Sequence, residues 1–168
     1  MTRTRTILDR LNLRCPILQA PMAGVSTPEL AAAVSNAGGL GALGLGAAGA
    51  EGARRMLRQT RQRTEGAINA NLFCHRPATA DAAKQARWVQ RLGPAFSRFN
   101  ASPPDSLSEI YTSFATDDAM LAMLLEERPE VVSLHFGLPD ADRIAALKER
   151  DIVLLASATS LEEARACA

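Results

Sequence analysis

The chain has 168 residues, of which 47% are hydrophobic and 4% aromatic, so it is long enough to form one domain with a substantial core. Nineteen basic and eighteen acidic residues give a net charge of +1, which lacks the basic excess of a typical nucleic-acid-binding protein. No apolar stretch approaches the ~20 residues of a membrane helix, so we expect neither nucleic acid nor membrane as a partner.

Short apolar runs along the chain predict five strands. Each run is bounded by glycine, proline or a charged turn, and continuous apolarity is typical of a parallel sheet that is buried on both faces. The five runs are Ile17–Ala20, Leu40–Leu45, Ile68–Phe73, Val131–Phe136 and Ile152–Ala156.

Helical patterns separate these runs. The first predicted helix starts near Ser26–Glu29, places Leu30, Val34 and Ala37 on one face, and stops at Gly38. The second covers Glu51–Gln62, with a basic outer face that we interpret as solvated rather than as a binding surface. Further helices are predicted over Thr79–Leu92, Asp117–Arg128, Ala141–Arg150 and from Ser160 to the end.

One connection is longer than the others. The segment around 94–108 contains Pro103-Pro104 and scattered polar residues, which indicates an insertion on the surface. We therefore predict a single α/β domain over residues 1–168 that carries this insertion.

The alternation of strands and helices leaves two architectures open. The five strand–helix units are either the first part of a (β/α)8 TIM-type barrel or a complete flavodoxin-like doubly wound sheet. The periodic pattern alone does not decide between them.

Glycines are concentrated around the second predicted strand. Gly39, Gly41 and Gly44 formally match a dinucleotide-binding pattern, but a helix precedes them where that motif requires a strand. We favour a structural role, in which Gly41 and Gly44 permit close packing.

Residues suited to ligand binding follow three of the predicted strands. The turn Pro21, Met22, Ala23 and Gly24 comes after the first strand, and its small side chains would let a planar ring approach the backbone. Asn71 lies near the end of the third strand and His135 near the end of the fourth. Because carboxyl ends of parallel strands share one rim, we expect these residues to cluster there.

The motifs PILQAPMAG, AGGLGALGLG, NANLF, VVSLHFGLP and ASATSLEEA together resemble the nitronate monooxygenase family, also called 2-nitropropane dioxygenases. The resemblance implies a (β/α)8 barrel enzyme that uses FMN and O2 to oxidise alkyl nitronates to carbonyl compounds and nitrite. It also implies that Pro21, Met22, Ala23, Gly24 and Asn71 contact the flavin and that His135 lies near its ring.

In that family the catalytic base is a histidine of a later segment, and later loops bind the FMN phosphate. These would follow Ala168, so no catalytic residue is assigned within the chain, and we expect the 168-residue chain alone to be inactive. Other interpretations are an enzyme like the FMN-dependent enoyl-carrier-protein reductases, a non-enzymatic half-barrel that associates with itself or with a missing carboxyl-terminal part, and a flavin-binding module. The reductases typically begin with a GGMA turn, whereas this chain has APMAG.

Cysteine usage indicates a reducing compartment. Cys15, Cys74 and Cys167 are too few and too scattered for a disulfide framework or a metal site, so we predict free thiols. Met1–Arg14 lacks the apolar region of a secretory signal. These features predict a cytoplasmic protein.

Overall fold

The computed structural model describes residues 6–168 and contains a four-stranded parallel sheet. Its order is sequential, β1-β2-β3-β4, and each strand pairs with its neighbour along the chain. A flavodoxin-like sheet would instead place its first strand in the interior. The strands are β1 (Gly41–Gly44), β2 (Ile68–Phe73), β3 (Val131–His135) and β4 (Val153–Ala156).

The first predicted strand, Ile17–Ala20, is not a regular strand, which corrects the expected count of five. It lies parallel to the start of β1, but only Leu18 forms a bridge, with Leu40. The side chain of Gln19 takes over the next ladder positions, because its Oε1 accepts from the Ala42 amide at 3.2 Å and its Nε2 donates to the Ala42 carbonyl at 3.1 Å.

Seven helices are present in the described part of the chain, and most lie within a turn of their predicted bounds. They are α1 (Ile7–Leu11), α2 (Pro28–Asn36), α3 (Ala50–Arg61), α4 (Ala82–Ser97), α5 (Asp118–Glu127), α6 (Ala141–Lys148) and α7 (Leu161–Cys167). The short α1 was not predicted, and it begins with a capping box between Thr6 and Asp9. Helix α4 was expected to end at Leu92, but it continues through Pro94.

The described residues form two compact units. One comprises the residues up to Arg76 together with Tyr111–Ala168 and contains the sheet; the other is Pro77–Ile110, which contains α4. The segment 94–108, where the sequence predicts an insertion, lies within the second unit. The interpretation as one domain with an insertion stays a prediction.

The predicted buried face of α2 is wrong. The helix buries Ala31, Ala32 and Ser35, whereas Leu30 is 38% exposed. The cause is close packing on β1, since a Cβ added at Gly41 would lie 2.0 Å from the Ala31 carbonyl oxygen. Such an approach requires small residues on the helix and glycine on the strand.

Helix α3 buries Ala53, Leu57 and Thr60. Its basic face is only partly solvated, because Arg54 and Arg58 form ion pairs with Glu126 and Glu127 of α5. These arginines therefore join two helices.

The two faces of the sheet differ in composition. One face packs under the helices and is apolar along its length, with Leu43, Ile68, Leu72, Val132 and Leu134 in the main core. The opposite face, which we call the inner face, begins at its amino end with a second apolar cluster of Leu11, Leu40, Ala67, Val131 and Val153. Towards the carboxyl ends of β2 and β3, its side chains become polar.

No helix among residues 6–168 has the length and apolarity needed to cross a membrane. Residues Met1–Arg5, which belong to the segment predicted to lack a secretory signal, lie outside the described residues.

Candidate functional site

The turn Pro21–Gly24 is held in place from below by a buried serine. Ser26 Oγ accepts hydrogen bonds from the Met22 amide at 2.9 Å and from Gln19 Nε2 at 3.1 Å. The amides of Val25 and Ser26 both donate to the Met22 carbonyl. The turn backbone is therefore fixed, while Met22, Ala23 and Gly24 are exposed.

The same turn packs directly on the carboxyl end of β1. A Cβ at Gly44 would lie 2.9 Å from the Ala23 nitrogen and 3.1 Å from the Met22 carbonyl carbon, so only glycine fits without displacement. Gly44 is in register with Asn71 of β2, which in turn is in register with Ser133 of β3. One layer of the sheet thus links the turn to both polar residues.

Asn71 and Ser133 form a buried polar pair on the inner face. They are 3% and 6% exposed. Asn71 Nδ2 donates to Ser133 Oγ at 2.9 Å and to the Ser133 carbonyl oxygen at 3.2 Å. Because the amide nitrogen of Asn71 is already hydrogen-bonded to Ser133, the carbonyl oxygen of Asn71 is the atom that can bind a ligand.

A second amide lies on the same face two residues earlier. Asn69 is 5% exposed, and its Oδ1 is buried without a hydrogen-bond partner in the described structure. Buried carbonyl oxygens are nearly always hydrogen-bonded in folded proteins. The Asn69 oxygen is therefore a position for a donor supplied by water, a ligand or another part of the protein.

His135 ends β3 at the same rim, in register with Phe73. Its half-buried ring lies 6.2 Å from the ring of Phe136, which is 70% exposed and has a φ of +69°. This backbone conformation ends the strand one residue earlier than predicted and is strained for a bulky residue. Strain of this kind is concentrated at functional sites.

Three aromatic rings extend along this rim, and we call them the aromatic cluster: Phe73, Tyr111 and Phe136. The centroid of the Phe73 ring lies 5.1 Å from that of Phe136 and 5.6 Å from that of Tyr111. They provide an apolar surface beside the polar residues.

The structure brings the candidates Pro21, Met22, Ala23, Gly24, Asn71 and His135 to the carboxyl ends of the parallel strands. Their roles in binding stay predictions. Four further contributors were not predicted from the sequence: Gln19, Ser26, Asn69 and Ser133. Each is a polar residue within or beside an apolar run, and that feature indicates a buried hydrogen bond even before the partner is known.

The arrangement has the properties of a site for a planar polar ring. The exposed turn presents backbone with small side chains, the inner face presents carbonyl oxygens, and the aromatic cluster supplies apolar contacts. Ligands of open parallel sheets and barrels bind at these carboxyl ends.

The sequence matches one family model and relatives that carry the same family name. The sequence model of the family described as nitronate monooxygenase matches residues 5–168. The chain is 60% identical over 163 residues to a nitronate monooxygenase of Paraburkholderia phytofirmans, covering 97% of this chain and 44% of the relative. A nitronate monooxygenase of Pseudomonas aeruginosa is 51% identical, covering 92% of this chain and 44% of the relative.

Solved structures resemble the fold as well. A nitroalkane oxidase from Streptomyces ansochromogenes superimposes with a TM-score of 0.80 at 37% identity, covering 92% of this chain and 43% of that one. FabK from Thermotoga maritima gives a TM-score of 0.68 at 28% identity, covering 98% of this chain and 40% of that one. The α/β fold class, with the first strand–helix units of a (β/α)8 barrel, is confirmed. The chain spans less than half the length of these proteins, and by its family match and its identity to these relatives it belongs to the nitronate monooxygenase family.

Proposed function

We propose that the protein carrying this chain is an FMN-dependent nitronate monooxygenase that oxidises alkyl nitronates with O2 to a carbonyl compound and nitrite. The observation that carries this proposal is the layer in which the fixed backbone of Pro21–Gly24 lies on Gly44, next to the buried pair of Asn71 and Ser133. Family membership supports the proposed reaction, and the geometry of this layer supports its proposed location.

The residues present fit the ring of FMN. The isoalloxazine ring is flat, and the exposed turn of Met22, Ala23 and Gly24 offers it a backbone surface without large branched side chains. The ring's polar edge matches the carbonyl oxygen of Asn71, since in the described part of the chain only the amide nitrogen of this side chain is hydrogen-bonded. The unpartnered Asn69 Oδ1 below is further support for a ligand with a hydrogen-bond donor or an ordered water at this place.

The chain's own residues then act by binding and orientation. FMN, when bound, accepts the electrons that the nitronate loses and transfers them to O2. The turn and Asn71 hold the ring at the rim, and the aromatic cluster packs against the alkyl part of the substrate. His135 offers a ring nitrogen to the anionic nitro group. A nitronate already carries the carbanion charge, so this substrate needs no base to remove a carbon-bound proton.

Two parts of the site are proposed to lie outside this chain, because the chain spans 44% of its Paraburkholderia phytofirmans relative. These are the loops that bind the FMN phosphate and the base that neutral nitroalkanes require. Barrels of this type usually bind phosphate near strands seven and eight. The small-molecule substrates are a nitronate and O2.

The test uses a chimera: residues 1–168 of this chain followed by the residues of the Paraburkholderia phytofirmans relative beyond the matched segment. We expect it to take up O2 and release nitrite from propyl-2-nitronate. An inactive flavin-loaded chimera that instead reduces an enoyl thioester with NADH would contradict the proposal and favour the enoyl-reductase interpretation.

A separate variant examines the proposed role of His135. In the chimera, His135→Ala should raise KM for the nitronate because the anion loses a polar contact, while FMN remains bound. Leu138→Ala, a change on the same loop outside the polar layer, serves as the control. An unchanged KM in His135→Ala would contradict the proposed contact.

A further inference from the structure

The backbone carbonyl oxygen of Ser133 sets the orientation of the Asn71 amide, because this oxygen can only accept a hydrogen bond. Asn71 Nδ2 lies 3.2 Å from the backbone carbonyl oxygen of Ser133 and 2.9 Å from its hydroxyl oxygen. Rotating the amide by half a turn would bring two carbonyl oxygens together, which is unfavourable in a buried place. The pair is therefore locked with the nitrogen towards β3.

From this geometry we infer that Ser133 is a positioning residue, which turns the Asn71 carbonyl oxygen towards the ligand so that the site selects a ring edge with an N–H donor. The inference rests on the proposed FMN function, and it specifies which edge of the flavin ring faces Asn71. The oxidised isoalloxazine ring has one N–H group, at N3. Asn71 Oδ1 accepts from this group.

The neighbouring amide strengthens the preference for a donor. Asn69 lies on the same face of β2, and its Oδ1 is also buried and has no partner in the described structure. Although Asn69 Oδ1 is too deeply buried to touch a ligand at the rim, it adds a second carbonyl oxygen to this face of β2. A ligand edge composed only of acceptors would leave Asn71 Oδ1 unsatisfied, at a cost that disfavours its binding.

The experiment compares the affinities of FMN and N3-methyl-FMN for the chimera. Methylation removes the donor and leaves the remaining ring unchanged, so the ratio of the two dissociation constants reports the N3 contact. We expect the unsubstituted chimera to bind FMN about tenfold more tightly than N3-methyl-FMN, the size of one well-placed hydrogen bond. The methyl group's steric effect is common to all variants, so the change in ratio between variants is the diagnostic quantity.

Three variants separate positioning from general stability. Asn71→Leu removes the acceptor and should lower the ratio to the value that the methyl group's steric effect alone produces. Ser133→Ala should lower it about threefold, because the backbone carbonyl still holds the amide in part. Ser133→Thr retains the hydroxyl and should restore the ratio. Damage to the fold would weaken both ligands equally and leave the ratio unchanged.

The outcomes distinguish the inferred hydrogen bond and the positioning role of Ser133 from the proposed FMN function. If the chimera binds FMN and the ratio is the same in Asn71→Leu as in the unsubstituted protein, the inference is wrong while the proposed function stands. If Ser133→Ala leaves the ratio unchanged, the positioning role of Ser133 is wrong. If the chimera binds neither flavin, the proposed function fails, and the inference fails with it.

Discussion

At the scale of single residues, the inner face of β2 shows why the site was only partly predictable. Asn71 was identified by its place near the end of the third predicted strand, but its partner Ser133 is 62 positions away along the chain. That pairing depends on the register of β2 and β3, which the hydrophobic pattern does not specify to one residue. Asn71 pairs through its amide nitrogen with Ser133, whereas the oxygen of Asn69 is buried without a hydrogen-bond partner in the described structure.

This difference predicts opposite effects of the same substitution. Asn69→Leu removes a buried oxygen that has no partner within residues 6–168, so the free energy of unfolding should stay equal or rise. Asn71→Leu leaves Ser133 Oγ without its donor, so the chain should lose about 1–2 kcal/mol. Urea unfolding of both variants measures the contrast. Equal destabilisation by the two changes would contradict the assignment of hydrogen bonds on this face.

The three thiols are free, as the sequence predicted, and differ in exposure. Burial raises the pKa of the Cys74 thiol to about 12, whereas Cys167 is exposed. Because the thiolate is the reactive form, a maleimide reagent at neutral pH should label Cys167 quickly and Cys74 only after unfolding. Mass spectrometry of peptides at timed intervals gives the result. Rapid labelling of Cys74 in the folded chain would show that its surroundings are more open than described.

At the scale of elements, the order of strands and helices followed from the hydrophobic pattern, while the contact faces did not. For α2, the apolar residues Leu30 and Val34 indicated one face, yet the helix packs through Ala31, Ala32 and Ser35. The hydrophobic pattern identifies a helix face by how apolar its residues are. Close packing over Gly41 depends instead on how small the side chains of the helix are. The strand of Ile17–Ala20 was overpredicted for a related reason, since Gln19 replaces backbone ladder bonds with side-chain bonds.

The close contact between α2 and β1 can be tested with paired glycine variants. Gly41→Ala would force its Cβ into the Ala31 backbone and should lower the free energy of unfolding by about 2–3 kcal/mol. Gly52→Ala, within α3, meets only ordinary contact at 3.5 Å and should raise stability by about 0.5–1 kcal/mol. If Gly41→Ala left the free energy of unfolding unchanged, α2 would not approach the strand this closely.

The ion pairs between α3 and α5 predict a dependence of stability on pH. The hydrogen bond from Arg58, with support from Arg54, lowers the pKa of Glu127 below its ordinary 4.5. A carboxylate with a lower pKa in the folded state contributes stability above the unfolded pKa and loses it as the pH falls through the folded pKa. Stability should therefore decline from about pH 5 downwards.

Glu127→Gln should flatten this decline and lower stability at pH 7, because the arginines lose their charged partner. Glu149→Gln, at an exposed position after α6, is the matched control and should preserve the decline. The measurement is urea unfolding at several pH values between 7 and 3. An identical pH profile in Glu127→Gln and the unsubstituted chain would contradict the linkage.

At the scale of the whole molecule, the sheet has two edges in the described residues. Beyond β1 lies the segment of Ile17–Ala20 with its single bridge, and β4 ends the opposite side. The relatives are more than twice as long as the region they share with this chain. A barrel closes such edges by continuing the sheet until its last strand meets the first.

This arrangement predicts that a polypeptide of residues 1–168 alone does not retain FMN through gel filtration, whereas the chimera does. The proposed contacts of the turn and Asn71 are with the ring alone, and charge-assisted phosphate contacts contribute strongly to binding of such cofactors. Flavin absorbance co-eluting with protein provides the measurement. Stoichiometric FMN on the 168-residue polypeptide would mean that it, or an oligomer of it, supplies a phosphate site of its own.

A crystal structure of the chimera with FMN tests the proposed flavin site most directly. The isoalloxazine ring should lie on the backbone of Met22 and Ala23, with Asn71 Oδ1 within hydrogen-bonding distance of N3. A flavin bound at the amino ends of the strands, or at the carboxyl ends but away from this turn and Asn71, would contradict the proposed site.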